Sequence, residues 1–236
     1  MEGAQMARGS READIAPARP AERVYWGPAD PVPLGISGFA LTTFILGLVN
    51  ANAISGGDVF VVLSVAGAYG GLAQLLAGMW AFAERNTFAA AAFSSYGAFW
   101  ISFVLLIQFF APEALKSGAT PLALNHAVAL YLFCWGFFTF FMWIATFRSN
   151  VMLNLVFLTL WVAYLLLGLG KIGAGHDTIT HWGGYVTTAC AVLAWYVGAS
   201  HVITSTLGRE ILPLFPLTRP GVAARTGAGA GAGLEA

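Results

Sequence analysis

LGISGFALTTFILGLVNAN, residues 34–52, is an unbroken membrane-length apolar run that nevertheless carries Thr42, Thr43 and Asn50. Crossing a hydrocarbon core of about 30 Å takes roughly 20 predominantly apolar residues in a helix. Five more stretches of this kind follow: Val59 to Ala83, Thr87 to Phe110, Asn125 to Phe147, Val151 to Ile172 and His181 to Leu207. Hydrophobic residues make up 58% of the 236, and charged residues only 9%, too few to coat a water-soluble globule. Backbone polar groups in lipid must be satisfied within a helix or a closed barrel, and these runs lack the alternation of barrel strands. The sequence therefore predicts an all-α integral membrane protein with six transmembrane helices and one transmembrane domain, residues 30–213. Residues 1–29 read as a polar cytoplasmic tail without a cleavable leader, and residues 214–236 as a low-complexity tail ending in GAGAGAGLEA.

Basic residues set the expected orientation. Arg8, Arg11, Arg19, Arg23, Arg85, Arg148, Arg209, Arg219 and Arg225 all fall on one side if both termini share it, leaving Lys116 and Lys171 opposite. The positive-inside bias then places both termini in the cytoplasm of a multi-pass cell membrane protein. Short connections such as Glu84 to Asn86 and Arg148 to Asn150 make consecutive helices antiparallel neighbours. The longest connection, Ala111 to Leu124, reads as the flexible outer mouth of a pore. Cys134 and Cys190 stand singly inside spans and read as small apolar filler.

Polar and small residues are set into the spans at helical spacing. Phe39, Thr42, Thr43, Leu46 and Asn50 share one stripe, which suits either interhelical hydrogen bonding or the lining of a path. Gly67, Gly70, Gly71, Ala73, Ala77 and Gly78 are small residues expected to let helices pack closely, Gly67 with Gly71 forming a GxxxG, and Gln74 in mid-membrane needs a partner or a wet path. Pro33 and Gly35 either punctuate a helix start or free N–H groups there for an anion. Asn86 reads as an N-cap and joins the residues expected to meet a substrate, as does Trp100 at the end of the run containing Tyr96. His126, His176, His181 and His201 are polar-interface residues, any of which could titrate near neutrality. No arginine ladder, paired intramembrane acids or HExxH is present, which disfavours voltage sensing, carboxylate-pair proton pumping, zinc proteolysis and enzymatic chemistry generally.

DPVPLGISGF (30–39), YGGLAQLLAG (69–78), NTFAAAAFSSYGAFW (86–100), YLFCWGFFTFFMW (131–143) and LGREILP (207–213) resemble the acetate uptake transporter family, whose bacterial members are succinate-acetate permeases. The resemblance implies a homo-hexamer of six-helix protomers in the inner or plasma membrane, each with its own path for acetate and related small monocarboxylates, succinate in some members. It implies a hydrophobic constriction of one Phe, one Tyr and one Leu, which fall on Phe39, Tyr96 and Leu160. Thr42, Thr43, Gln74, Asn86 and Trp100 are then expected to contact the carboxylate. The family pattern tends to Asn at Asp30, Glu at Ala81 and Glu at His201, so His201 becomes the candidate proton-linked group. No cofactor, metal or nucleic-acid partner is expected. The alternative is a passive channel for small neutral solutes such as urea or undissociated acid.

Overall fold

A computed structural model of the chain describes residues 27–54, 59–172 and 177–217. Six helices are long and apolar enough to cross a membrane: α1 (Val32–Asn50), α2 (Val59–Ala83), α3 (Thr87–Lys116), α4 (Pro121–Arg148), α5 (Val151–Leu169) and α6 (Asp177–Leu207). No strand longer than an isolated bridge is found among the described residues. The expectations placed on Arg8, Arg11, Arg19, Arg23, Arg219, Arg225 and His176 lie outside the described residues.

Local chemistry sets where the helices start. Pro33 sits in the first turn of α1, where its missing N–H costs nothing. The first amide of α1, Val32 N–H, donates to Asp30 Oδ1 at 2.9 Å, and Gly35 N–H donates to the Pro31 carbonyl. These amides are already occupied, so α1 opens as punctuation rather than as an exposed anion cradle. Gly35 is small for another reason: a Cβ there would lie 2.6 Å from the Phe93 ring of α3. Asn86 caps α3 through Ala89 N–H at 3.0 Å, Thr120 caps α4 through Ala123 N–H, and Asn150 caps α5 through Leu153 N–H at 2.8 Å.

Two helices contain widened π turns, Ala66–Ala73 in α2 and Leu106–Phe110 in α3. The second corrects the expected boundary of span three, because the helix continues through Pro112 to Lys116. A proline clashes with the carbonyl four residues back in a regular helix, and the wider turn just before it gives that ring room. Span four likewise begins at Pro121, so much of the expected flexible connection is helical.

Packing follows the small residues. The main contact of α1 is with α6, where a Cβ on Gly184 would strike the Ala51 amide and one on Gly47 would lie 2.8 Å from Thr188 N. Gly70 of α2 faces α1, since its Cβ would fall 2.5 Å from Thr42 Oγ1. Gly67 has nothing within 4 Å of such a Cβ. The GxxxG of Gly67 and Gly71 is thus not the helix contact within the protomer; the π turn brings Gly70 and Gly71 inward instead. Farther along, α2 lies on α3 through Gly78 against Ser94 and Gly97 against Leu75.

After α6 the chain turns back across the helix ends. Tyr196 Oη donates to the Pro213 carbonyl and Ser200 Oγ to that of Leu212. Val151 N–H and Met152 N–H donate to the carbonyls of Phe215 and Leu214. Residues 214–217, expected to open a loose tail, are instead tied to the start of α5. The start of α1 and the end of α6 share this side of the bundle, because His201 Nδ1 lies 3.1 Å from Asp30 Oδ2.

Candidate functional site: two cavities meeting at Phe39 and Leu160

Two cavities enter the bundle. The near cavity, about 450 Å³, lies on the side where α1 begins and α6 ends, with Val32, Asn86, Arg148, Asn150 and His201 in its wall. The far cavity, about 280 Å³, reaches the other side past Asn50, Asn125 and Lys171. The residues that border both are Phe39 and Leu160, buried to 5% and 6% exposure. Tyr96 borders the near cavity, its ring centroid 5.9 Å from that of Phe39 and 6.1 Å from that of Phe157. The three residues expected to form a constriction are therefore gathered in one place.

Tyr96 is fixed by a relay. Thr139 Oγ1 donates to the Trp135 carbonyl at 2.8 Å, so the 2.9 Å contact between Tyr96 Oη and Thr139 Oγ1 has the phenol as donor. Its one proton is spent on Thr139, which leaves the ring, rather than a donated hydrogen bond, to act on a passing carboxylate. Thr139→Val and Tyr96→Phe should each lower stability in detergent by about 1 kcal/mol, the usual scale for such bonds between membrane helices. Thermal unfolding of the double variant should show less than the sum of the single losses, because both remove the same bond.

Three residues lining the cavities carry a buried polar atom with no hydrogen-bond partner among the described residues: Gln74 (Oε1) at the near cavity, Thr43 (Oγ1) and Trp100 (Nε1) at the far one. Each such group costs about 1–3 kcal/mol when left unpaired. Ser94 Oγ and Trp143 Nε1 are also unpaired but border neither cavity. Gln74, Thr43 and Trp100 are 1–2% exposed, and Thr43 stands one helical turn beyond Phe39 on α1.

The remaining expected contacts divide. Thr42, adjacent to Thr43, borders neither cavity; it donates to the Gly38 carbonyl at 3.0 Å and packs against Gly70. Asn86 caps α3 and also lines the near cavity, so one residue does both things expected of it. His201 lines the near cavity and holds Asp30, whereas His126 and His181 border neither cavity. Cys190 is buried, with its thiol directed at the Val156 carbonyl, and Cys134 is exposed.

Sequence reading missed Phe157, Asn150 and Arg148 in the near cavity and Tyr131 and Tyr164 in the far one. Asn150 carried a legible signal, an N-cap residue just before an apolar run. It brings a second helix start to the near cavity beside that of α3, and positive helix ends favour anions.

The model of the GPR1/FUN34/yaaH family matches residues 16–219. The chain belongs to the GPR1/FUN34/yaaH family. Within this GPR1/FUN34/yaaH family it is similar to acetate permease A of Emericella nidulans, 40% identical over 209 residues that cover 84% of this chain and 70% of that protein. It is also similar to the succinate-acetate/proton symporter SatP of Escherichia coli strain K12, 36% identical over 188 residues, or 79% of this chain and 95% of SatP. The solved structure of the bacterial acetate channel SatP superposes with a TM-score of 0.70 at 34% identity, covering 79% of this chain and 99% of that one. The resemblance read from the motifs holds, and the chain is a multi-pass membrane protein of a family whose named members include acetate transporters.

Proposed function

We propose that this protein carries acetate and related small monocarboxylates across the membrane through a path within each protomer. One observation carries the reading: cavities from opposite sides of the bundle meet at Phe39 and Leu160 and share no other wall. An apolar ring at the meeting point resists water and hydrated ions, which is how hydrophobic constrictions gate. Thr43 Oγ1–H and Trp100 Nε1–H, unpaired in the wall of the far cavity, supply donors for a carboxylate that has shed its water. Tyr96 closes the ring from the near side, and Asn86 lines the approach. The names of the relatives support transport rather than catalysis.

The same reading places residues 30–213 as the transport unit, both termini in the cytoplasm and the protein in the plasma or inner membrane. Arg85, Arg148 and Arg209 on the near side against Lys116 and Lys171 on the far side support that orientation. A hexamer is the proposed assembly. The outward face of α2, with Phe60, Leu72, Leu76 and Trp80 exposed beside Gly67, is the surface offered to a neighbouring protomer.

His201 is the proposed proton-linked group. It occupies the wall of the near cavity while its ring nitrogen holds Asp30, whose other oxygen caps α1, the helix that carries Phe39 and Thr43. A proton on the imidazole strengthens that clasp. Carrying one bare charge against the membrane potential costs about 2.3 kcal/mol per 100 mV, so a linked proton removes the electrical penalty of anion uptake.

Labelled-acetate flux into proteoliposomes, with pH gradient and potential varied separately, tests both levels. The wild type should take up acetate and be stimulated by an inward proton gradient. His201→Gln should retain potential-driven flux and lose at least severalfold of the gradient stimulation. Absence of wild-type acetate flux would sink the transport reading, and unchanged stimulation in His201→Gln would remove the proton role from that residue.

A further inference from the structure

Lys171 follows the last turn of α5 and is the one charged residue bordering the far cavity among the described residues. At the outer end of a span an ammonium either snorkels to the interface or lures an anionic substrate. Its neighbourhood in the structure bears on the second. It shares the cavity wall with Thr43 Oγ1 and Trp100 Nε1, the two buried groups left without partners, and none of the described ion pairs or hydrogen bonds engages its side chain. On the same side Glu113 is paired with Lys116 at 3.6 Å, and Asp177 begins α6; neither borders the far cavity.

These observations order the far cavity from mouth to junction. Lys171 is only half-buried, whereas Thr43 and Trp100 are at most 2% exposed. At the mouth, beside Asn50 and Asn125, stands a mobile point charge on a long stem, with three donors and no acceptor. The inner groups are neutral donors on rigid helix positions. A neutral solute gains no net Coulomb attraction from the first, while a carboxylate is drawn by its full charge and then desolvated against the second pair. Apolar walls focus the field of a single charge, since Leu46, Phe103, Val128 and Leu167 fill the sides of the same cavity.

We infer that Lys171 is the anion-collecting residue of the far mouth: it raises the local concentration of carboxylates and passes them to the Thr43 and Trp100 donors, so that the ionised acid is selected over neutral solutes of equal size. This rests on the carboxylate-transport reading above and assigns it a specificity-determining charge. Lys171 acts before the constriction, so its loss should lower flux at low acetate and matter little near saturation. Its attraction should also fade as added salt shortens the screening length, from about 10 Å at 0.1 M toward about 3 Å at 1 M.

The test is the initial rate of labelled acetate uptake into proteoliposomes at sub-saturating acetate, in low and high salt, with labelled acetamide as the uncharged isostere. Lys171→Gln should cut acetate flux about tenfold in low salt and far less in high salt. Lys171→Arg should restore most of the flux, and acetamide permeation should be the same in all three proteins. Wild-type acetate flux matched by Lys171→Gln in low salt would overturn this inference alone and leave Lys171 as a membrane anchor. Equal losses for acetate and acetamide would overturn it as well, because that pattern marks a distorted pore. A wild type that moves no acetate at all overturns the transport reading and this inference together.

Discussion

Leu160→Ala is expected to let lactate through at least about tenfold faster relative to acetate than in the wild type. Leu160 and Phe39 are the residues common to both cavities, so a solute passing between the cavities passes between these two side chains. Shortening leucine to alanine removes three carbons from one side of that gap. Lactate is wider than acetate by a hydroxyl-bearing carbon, and lowering its crossing barrier by about 1.4 kcal/mol is enough for a tenfold change. The cost to folding should lie at the low end of the roughly 2–5 kcal/mol for buried Leu→Ala changes, since the side chain already faces open volume. Leu160→Ile keeps the volume and serves as the control. Competition between unlabelled lactate and labelled acetate in proteoliposomes measures the ratio. A ratio unchanged in Leu160→Ala, with the protein still monodisperse, would place the selective point elsewhere; Phe39→Ala then tests the other half of the gap.

The spans were legible because lipid leaves the backbone few choices, and a run such as residues 34–52 admits only a helix. Which face of each span points inward was legible only in part. In a soluble helix the polar side marks the outside, but here lipid-facing and core-facing sides are both apolar, and polarity alternates too weakly to orient α1. Thr42 and Thr43 show the consequence. They are adjacent and chemically identical, yet about 100° of helical rotation sends one into the α2 contact and the other into the far cavity. The glycines of α2 were legible as packing residues, and Gly70, Gly71 and Gly78 do pack within the protomer, but which of them face a given helix was not legible, for a related reason. A regular helix puts Gly67 and Gly71 on one face, but the π turn Ala66–Ala73 changes the residues per turn, and Gly70 comes to face α1. Such a turn has no reliable sequence signature, so spacing rules fail across it. Partners across the bundle were also beyond reach: nothing in the run around Tyr96 announces that Thr139 takes its proton, and Asp30 and His201 stand 171 residues apart.

Gly184→Leu should abolish a folded, monodisperse protein, while Gly67→Leu should leave the protomer fold intact. At Gly184 the α1 and α6 backbones are in direct contact, and the added Cβ would strike the Ala51 amide, with the Asn50 carbonyl carbon 2.5 Å away. Backbone cannot rotate aside as a side-chain tip does, so α1 must separate from α6. Overpacking of ordinary cores costs about 1–3 kcal/mol, and a collision with main chain at the largest helix contact should exceed that range. Because α1 carries Phe39 and Thr43, any protein that does survive should also lose acetate selectivity. At Gly67 the surrounding 4 Å is empty within the protomer, so a leucine side chain meets lipid or another copy of the chain. Size-exclusion profiles of detergent-solubilised variants separate these two outcomes. Gly67→Leu running as a smaller particle than the wild type, with thermal stability of the protomer retained, places α2 in the interface between protomers. An unchanged particle size instead puts that face against lipid, and the assembly must then use another surface.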